Sequence, residues 1–370
     1  MPPLTINRVT SRRDLKSFID LPWKLYKVDK HWIAPLRIDI KSRLNLKRGL
    51  LGKGRAALFL ARRDKEVVGR ISASFLKSTL QATGEGNFGF YEMIDDLDVA
   101  RALMDRAMAW LKEKGAKKAI GPYSFLLEDP YPAFLADSYD RPPYFMMTYS
   151  KPYYLDQMKA LGFEKAQDLY AYEMSEEVPL PQKLLDKAKE AEYIPDLRLR
   201  TINLKNLYEE IEITRGIFNE ALKNNWGYVP FSREYVKKMA KELRFLADER
   251  IIFIAEIKGV PVGVVINLPN YNELLADCNG RLFLKGVLRI LFKKRLIKSA
   301  RNYAMAILPA YQHSGLGSLL IRESFNRAVK IGYVRGEISF VLESNVKMDA
   351  LAQFARGRNR KTYRIFKKDI

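Results

Sequence analysis

The chain has 370 residues, 64 of them Lys or Arg and 43 Asp or Glu, for a formal net charge of +21. At roughly 100–200 residues per domain this suffices for two domains, and 48% hydrophobic with 12% aromatic content supplies packed cores, which excludes a disordered chain. One cysteine, Cys278, excludes a disulfide framework and any multi-cysteine zinc site; two histidines, His31 and His313, exclude most histidine-built metal centres.

The opening MPPLTINRVTSRRDL lacks the apolar core of a signal peptide, and no run nears ~18 apolar residues, so a cytoplasmic chain without a bilayer span is expected. A pI near 9.7 calls for a polyanionic partner: nucleic acid, an anionic membrane face or a polyanionic cofactor. A basic surface that only aids solubility is the plain alternative.

In chain order, Ala57–Ala61 and Val67–Ala73 flank the charged turn Arg62–Glu66 and predict a β-hairpin. A strand at Phe88–Tyr91 leads through an acidic loop to a helix over Val99–Lys114, where Leu103, Ala107, Trp110 and Leu111 recur at helical spacing and Gly115 supplies the stop. A strand at Lys118–Gly121, an aromatic, proline-rich stretch from Tyr123 to Tyr154, a short helix ending at Gly162 and a closing strand at Leu169–Met174 follow. Ser175–Pro195, with Pro179, Pro181 and Pro195 around a short charged helix, predicts a linker. The order then repeats. A strand at Leu197–Ile202 and a helix near Tyr208–Leu222 precede a hairpin of Ile251–Ile257 with Val260–Leu268, turning at Lys258-Gly259. A strand at Tyr303–Leu308, a helix from Gly315 to Ile331, a strand at Glu337–Leu342 and a last strand at Thr362–Lys367 complete it. The expectation is a tandem α/β repeat: a domain over 1–175, a linker over 176–195 and a domain over 196–370.

The stretch AMAILPAYQHSGLGSLLIRE, residues 304–323, carries the most chemistry. A strand ends at Pro309, Gln312-His313-Ser314-Gly315-Leu316-Gly317 follows, and an amphipathic helix opens. Glycines at a helix mouth admit close backbone approach, and the unpaired first-turn N–H groups with the helix dipole suit phosphate oxygens. This arrangement resembles the acyl-CoA-binding motif of the GNAT acyltransferase superfamily, Gln/Arg-x-x-Gly-x-Gly/Ala. The resemblance implies a pyrophosphate held by N–H groups from His313 through Ser314, Gly315, Leu316 and Gly317, and a pantetheine arm along the strand edge Met305, Ala306 and Ile307. Acetyl-CoA or a longer acyl-CoA would be the co-substrate, with no metal.

Further strings extend the likeness over nearly the whole chain: Asp29-Lys-His-Trp-Ile-Ala-Pro35, Phe88-Gly-Phe-Tyr91, Pro142-Pro143, Lys151-Pro-Tyr-Tyr154, Asn225-Trp-Gly-Tyr228, Asn279-Gly-Arg-Leu-Phe283 and Lys361-Thr-Tyr-Arg364. They look like a bacterial double-GNAT family similar to bacterial ceramide synthase, which implies two mixed, mostly antiparallel sheets flanked by helices and an N-acyltransferase acting on a lipid or sphingoid-type amine. The first repeat departs from the pattern. Its loop, Met93-Ile-Asp-Asp-Leu-Asp98, has no glycine and three carboxylates that repel phosphate.

Amide formation from a thioester needs alignment, one proton acceptor and stabilisation of an oxyanion. Glu343, at the end of a strand that splays from the cofactor strand in the GNAT fold, is the candidate base; a strand-end or capping acid is the competing role. Asn345 stands where many superfamily members bond pantetheine, and Asn is also a good helix cap. The tyrosine that often protonates the leaving thiolate is absent from Val346–Phe354. Tyr363 is the substitute candidate, an exposed strand tyrosine being its plain reading. Trp226 and Tyr228, on loop-like sequence, are candidates for the acceptor pocket.

Arg281–Arg301 holds eight basic residues and no acid. Arg281, Lys285, Arg289 and Lys293 form a stripe opposite Phe283, Leu284, Val287, Leu288, Ile290 and Leu291, with Lys294, Arg295, Lys298 and Arg301 beyond. This pattern suits an interfacial helix on an anionic membrane, a peripheral place on the inner face; a core-packed helix with a solvated basic face is the competitor, and RNA ranks behind both. Two other functions stay open: an aminoacyl-tRNA-dependent transferase of tandem GNAT-like build, and a non-catalytic acyl-CoA-binding module.

Overall fold

Apolar hairpins anchor both halves of the chain, and around each a sheet and its helices assemble. The computed structural model describes residues 2–125, 129–234, 236–237, 244, 246–281 and 293–370. Two units divide it: residues 1–168, 274–291 and 362–370 form unit 1, and residues 169–273 and 292–361 form unit 2.

Unit 1 begins with β1 (Leu4–Arg8), α1 (Arg12–Leu25), α2 (Arg37–Arg43) and α3 (Gly49–Gly52). The expected hairpin is β2 (Ala56–Arg63) with β3 (Glu66–Ser74), followed by α4 (Lys77–Thr83), β4 (Glu85–Met93), α5 (Leu97–Glu113) and β5 (Lys118–Gly121). The strands β1 to β5 pair in sequence order, all antiparallel except β4 with β5, which run parallel from Glu85↔Lys118 to Asn87↔Ile120. Leu103, Ala107 and Leu111 of α5 are fully buried and Trp110 nearly so, packed with Phe59, Ile71 and Phe88. Each such large apolar side chain stabilises the unit by about 1.5–3 kcal/mol. β6 (Phe134–Leu135) and α6 (Tyr153–Ala160) follow.

Unit 2 repeats the plan. It takes up β7 (Glu164–Ser175) from Leu169, then α7 (Gln182–Glu192), β8 (Leu197–Thr201), α8 (Leu207–Ala221), the hairpin β9 (Ile252–Ile257) and β10 (Val260–Pro269), β11 (Ser299–Ile307), α9 (Leu316–Lys330), β12 (Arg335–Leu342) and α10 (Val346–Phe354). Its sheet runs β7-β12-β11-β10-β9-β8, and again one pair is parallel, β11 with β12.

Three features differ from the serial expectation. Residues 169–175 pair with β12 inside unit 2, from Leu342↔Leu169 to Arg335↔Ser175. Conversely, the last strand, β13 (Arg358–Asp369), enters unit 1 from Thr362 and pairs there with β5, from Phe366↔Gly121 to Asp369↔Lys118. Each closing strand thus satisfies a sheet edge that its own repeat does not own, and hydrogen-bonding an open edge gives the same gain whichever segment supplies it. Finally, residues 176–195 are more than a linker: Leu184, Ala188 and Ala191 of α7, at i, i+4 and i+7, are fully buried in unit 2.

Candidate active site

In unit 2 the strand β11 leads through a 3₁₀ turn, Pro309–Tyr311, into Gln312–Gly315 and then α9. Gly315 caps the helix in the left-handed region (φ 79°), and no side chain caps the first turn. The first intrahelical bond is Leu319 N–H to Gly315 O at 3.1 Å. The N–H groups of Leu316, Gly317 and Ser318 therefore point out of the helix mouth, as the first turn of any helix requires. Glycine at 315 answers a second demand: a Cβ there would stand 2.7 Å from the Lys187 carbonyl oxygen of α7. Gly315→Glu would consequently disturb the fold as well as any anion site. His313 is exposed, and Ser314 Oγ donates to Tyr311 O at 2.8 Å. Gln312 Nε2 donates to Ile307 O at 3.2 Å, fixing the loop to the strand end.

The cofactor strand has an open edge. Its parallel ladder with β12 runs from Ser299↔Arg335 to Asn302↔Ile338 and stops, while its antiparallel ladder with β10 continues to Gly263↔Ile307. Among the described residues, Ala304 to Ile307 thus have no ladder partner on the β12 side, leaving backbone donors and acceptors along Met305, Ala306 and Ile307. Buried polar side chains hold the vertex of this splay. Arg301, 2% exposed, donates from Nε to Ser339 Oγ at 2.8 Å, and Ser339 Oγ donates to Glu337 Oε1 at 2.8 Å. Burial raises the Glu337 carboxyl above its ordinary range against the opposing pull of Lys361 and Arg301. Sequence reasoning missed Glu337 and Ser339. The signal was present as two polar residues inside an otherwise apolar strand run.

α10 brings a second group to the loop. Asn345 Oδ1 accepts from Met348 N–H at 3.1 Å, so the asparagine is the N-cap. Within the first turn, Lys347 Nζ donates to Gln312 Oε1 at 3.3 Å and stands 3.4 Å from His313 Nε2. The mouth of α9 therefore carries unpaired N–H groups, a helix dipole and an ammonium, a set that suits phosphate oxygens. Lys347 was not among the expected residues, although a basic residue in the first turn after Asn345 is readable from sequence. Glu343 lies in the turn just after β12 and is partly exposed.

The remaining expected residues are placed as follows. Tyr363 belongs to unit 1, opposite Leu135 in a two-residue ladder, and is completely buried rather than exposed. Trp226 and Tyr228 follow α8; Tyr228 bonds Asn219 Oδ1 and packs 6.1 Å from the Phe231 ring. Most of the basic segment Arg281–Arg301 lies outside the described residues, which resume at Lys293. Lys294–Leu296 form a 3₁₀ turn, and Arg301, counted with the basic cluster, is instead buried in β11, which starts four residues earlier than expected. Among the described residues no group of three His, Cys, Asp or Glu side chains could hold a metal, and no helix is long and apolar enough to cross a membrane.

Repeated hairpin, helix and parallel splayed pair are the architecture of the GCN5-related N-acetyltransferase fold, in tandem. Solved structures agree on the fold. A GCN5-related N-acetyltransferase from Sphaerobacter thermophilus superposes with a TM-score of 0.57 at 14% identity, covering 100% of this chain and 97% of its own. A tandem GNAT protein from the clavulanic acid biosynthesis pathway gives 0.58 at 12% identity, covering 99% and 98%. No family model matches the chain. It is 33% identical to protein YghO of Escherichia coli (strain K12), over 97% of this chain and 94% of that one. It is likewise 33% identical to bacterial ceramide synthase of Caulobacter vibrioides, over 99% and 98%. The chain belongs to the family of these two proteins.

Proposed function

We propose that the protein is an acyl-CoA-dependent N-acyltransferase whose acceptor is the primary amine of a lipid-type molecule. The carrying observation is the open edge of β11 leading directly into a helix mouth with unpaired N–H groups and Lys347. The name of the Caulobacter relative supports the lipid acceptor.

In this reading, Leu316, Gly317, Ser318 and Lys347 bind pyrophosphate oxygens, while the backbone of Met305–Ile307 extends its ladder onto the pantetheine arm. Asn345 keeps α10, and with it Lys347, in place. The amine nitrogen attacks the thioester carbon, the C–N bond forms as the C–S bond breaks, and the nitrogen's surplus proton goes to a carboxylate. Glu343 is the candidate acceptor of that proton in unit 2. Tyr363, with no accessible surface, cannot hand a proton to the leaving thiolate, which near its ordinary pKa of about 8.5 takes one from water. The excess of basic residues supports a working place at an anionic membrane surface, where an amphiphilic acceptor would be met.

Calorimetry with hexadecanoyl-CoA, followed by mass spectrometry of the product formed with sphinganine, tests the proposal. One bound acyl-CoA per chain and a new amide are expected. Absence of acyl-CoA binding, or binding without amide from any long-chain amine, would overturn it.

A further inference from the structure

The helix α9 packs closely onto the unit 2 sheet at its start and loosely farther along. Leu316, Leu319 and Leu320, in its first turns, are buried against Phe253, Val265 and Ile307. Beyond them, Ala328 and the ladder pair Ala300↔Gly336 line one cavity, which these three small residues leave unfilled. With its mouth it holds about 650 Å³, within the roughly 300–1,000 Å³ usual for ligand sites. The backbone does not impose the glycine. Gly336 lies outside the left-handed region, and a Cβ there would meet nothing closer than the Ala300 carbonyl oxygen at 3.5 Å. Unit 1 fills the same place. The second pair of its parallel ladder is Gly86↔Ala119, and a Cβ on Gly86 would stand 2.6 Å from Leu111 Cδ2 of α5. Protein interiors hold few voids larger than a water molecule, and one larger side chain at 328 or 336 would close this one.

The walls indicate the chemistry of an occupant. Phe325 and Val329 of α9 line the cavity, with Tyr333 just after the helix. Polar side chains in the wall bond one another: Asn302 Nδ2 donates to Asn267 Oδ1 at 2.9 Å, and Asn267 Nδ2 to Ser324 Oγ at 2.6 Å. Tyr333 Oη bonds Asp248 at 3.3 Å, and exposed Glu176 and Arg335 stand at the rim. At the other end are Met305, Ile338 and Met348. Met305 lies on the open edge of β11, and Ile338 belongs to the last ladder pair before β11 and β12 part. The cavity therefore starts at the splay and continues beneath α9, where Ile321 to Val329 spans about 12 Å of helix. Its thioether side chains, Met174, Met305 and Met348, adapt to a flexible apolar chain.

We propose that the cavity under α9 binds an aliphatic chain, the acyl chain of the donor thioester, admitted where β11 splays from β12. Whose chain it is rests on the acyltransferase reading above; the aliphatic site itself does not. Each methylene buried there strengthens binding about fourfold, so a long acyl chain is preferred to acetyl. Ala300, Ala328 and Gly336 set that preference by the volume they leave empty.

Calorimetry of the full chain compares hexadecanoyl-CoA, below micelle formation, with acetyl-CoA, and is repeated on Ala328→Leu. The wild type is expected to bind the long-chain thioester roughly a hundredfold or more tighter, and the variant to lose roughly tenfold or more of that advantage. In parallel, cis-parinaric acid, a fatty acid that fluoresces in apolar surroundings, is titrated without CoA. Its affinity should fall roughly tenfold in the variant, and hexadecanoyl-CoA should displace it where acetyl-CoA does not. Cooperative urea unfolding reports that the variant is folded, and Gly336→Val, which fills the cavity from the sheet, takes its place if it is not. Equal, measurable affinity of wild type for the two thioesters overturns the proposal. So does a long-chain preference, or a parinarate affinity, indifferent to both variants. A wild type that binds neither thioester, but whose parinarate affinity still depends on Ala328, keeps the aliphatic site and sinks the acyl-CoA reading alone.

Discussion

The two units contain the same strand, helix and strand, and differ at the same two points. In unit 2, β11 parts from β12 after Asn302↔Ile338, and two residues further on stands Ala304. In unit 1 the parallel ladder ends at Asn87↔Ile120, and the residue two further on is Gly89. A Cβ on Gly89 would lie 1.5 Å from the Tyr123 carbonyl oxygen, and Tyr123 N–H bonds Phe88 O at 2.9 Å. The chain after β5 thus fills the gap that unit 2 leaves open. At the helix mouth, α9 has Gly315 and no side-chain cap, whereas Asp96 caps α5 by accepting from Asp98 and Val99 N–H and pairs with Arg63 at 2.7 Å. A carboxylate of the protein already occupies the donors that a phosphate would use. One plan therefore yields an uncapped helix mouth or a sealed structural one, depending on a few residues at the strand exit and the helix cap.

The largest effect is expected from closing or opening the strand gap. Gly89→Ala forces backbone against backbone and should cost unit 1 about 4 kcal/mol or more, seen as loss of cooperative unfolding at moderate urea. Ala304→Gly meets no such barrier and should cost only about 0.5–1 kcal/mol. Comparable costs at the two positions would mean the gaps are alike.

Next comes the mouth of α9. His313→Glu together with Lys347→Glu reverses the local field on exposed side chains, so acyl-CoA affinity should fall roughly a hundredfold with the fold intact. Calorimetry that gives unchanged affinity would show that this mouth does not hold pyrophosphate. The wild-type titration should also stop at one acyl-CoA per chain, and two equivalent sites would erase the distinction between the units.

The caps give a smaller effect. Asp96→Ala and Asn345→Ala should each destabilise the protein by about 1 kcal/mol in urea unfolding, the usual cost of losing an N-cap. The two should part company in acyl-CoA binding, where Asp96→Ala changes nothing and Asn345→Ala weakens affinity by loosening Lys347.

The smallest effect is in the acid limb of stability. Burial opposes ionisation of Asp96, but the Val99 N–H, Arg63 and the Asp98 N–H outweigh it and hold the carboxyl below its ordinary value. A depressed folded pKa means the contribution is complete above the unfolded value of about 3.9 and fades as pH falls through the folded one. Asp96→Asn should therefore lose a constant increment between pH about 5 and 7, and the gap to wild type should close below pH about 4. A difference that persists undiminished at pH about 3 would assign the effect to shape instead of charge.

Much of this was determined by local sequence. The hairpins, the helices after them and the glycine-rich mouth follow from alternation, 3.6-residue spacing and turn chemistry, all of which act over a few residues. The absence of glycine from Met93–Asp98 was equally plain in the sequence, and the structure adds that Asp96 there caps α5. Tertiary structure decided the rest, because those outcomes depend on which distant segments meet. Sequence spacing gives no preference between two edges that offer the same backbone partners, so the exchange of β7 and β13 could not be read from it. The burial of Tyr363 and Arg301 follows from strands whose extent and neighbours are set across the sheet. Lys347 reaches Gln312 only because α10 packs beside the loop. The cavity under α9 exists because Ala300, Gly336 and Ala328 meet from three elements, and side-chain packing, unlike periodicity, is settled only when the whole unit has folded.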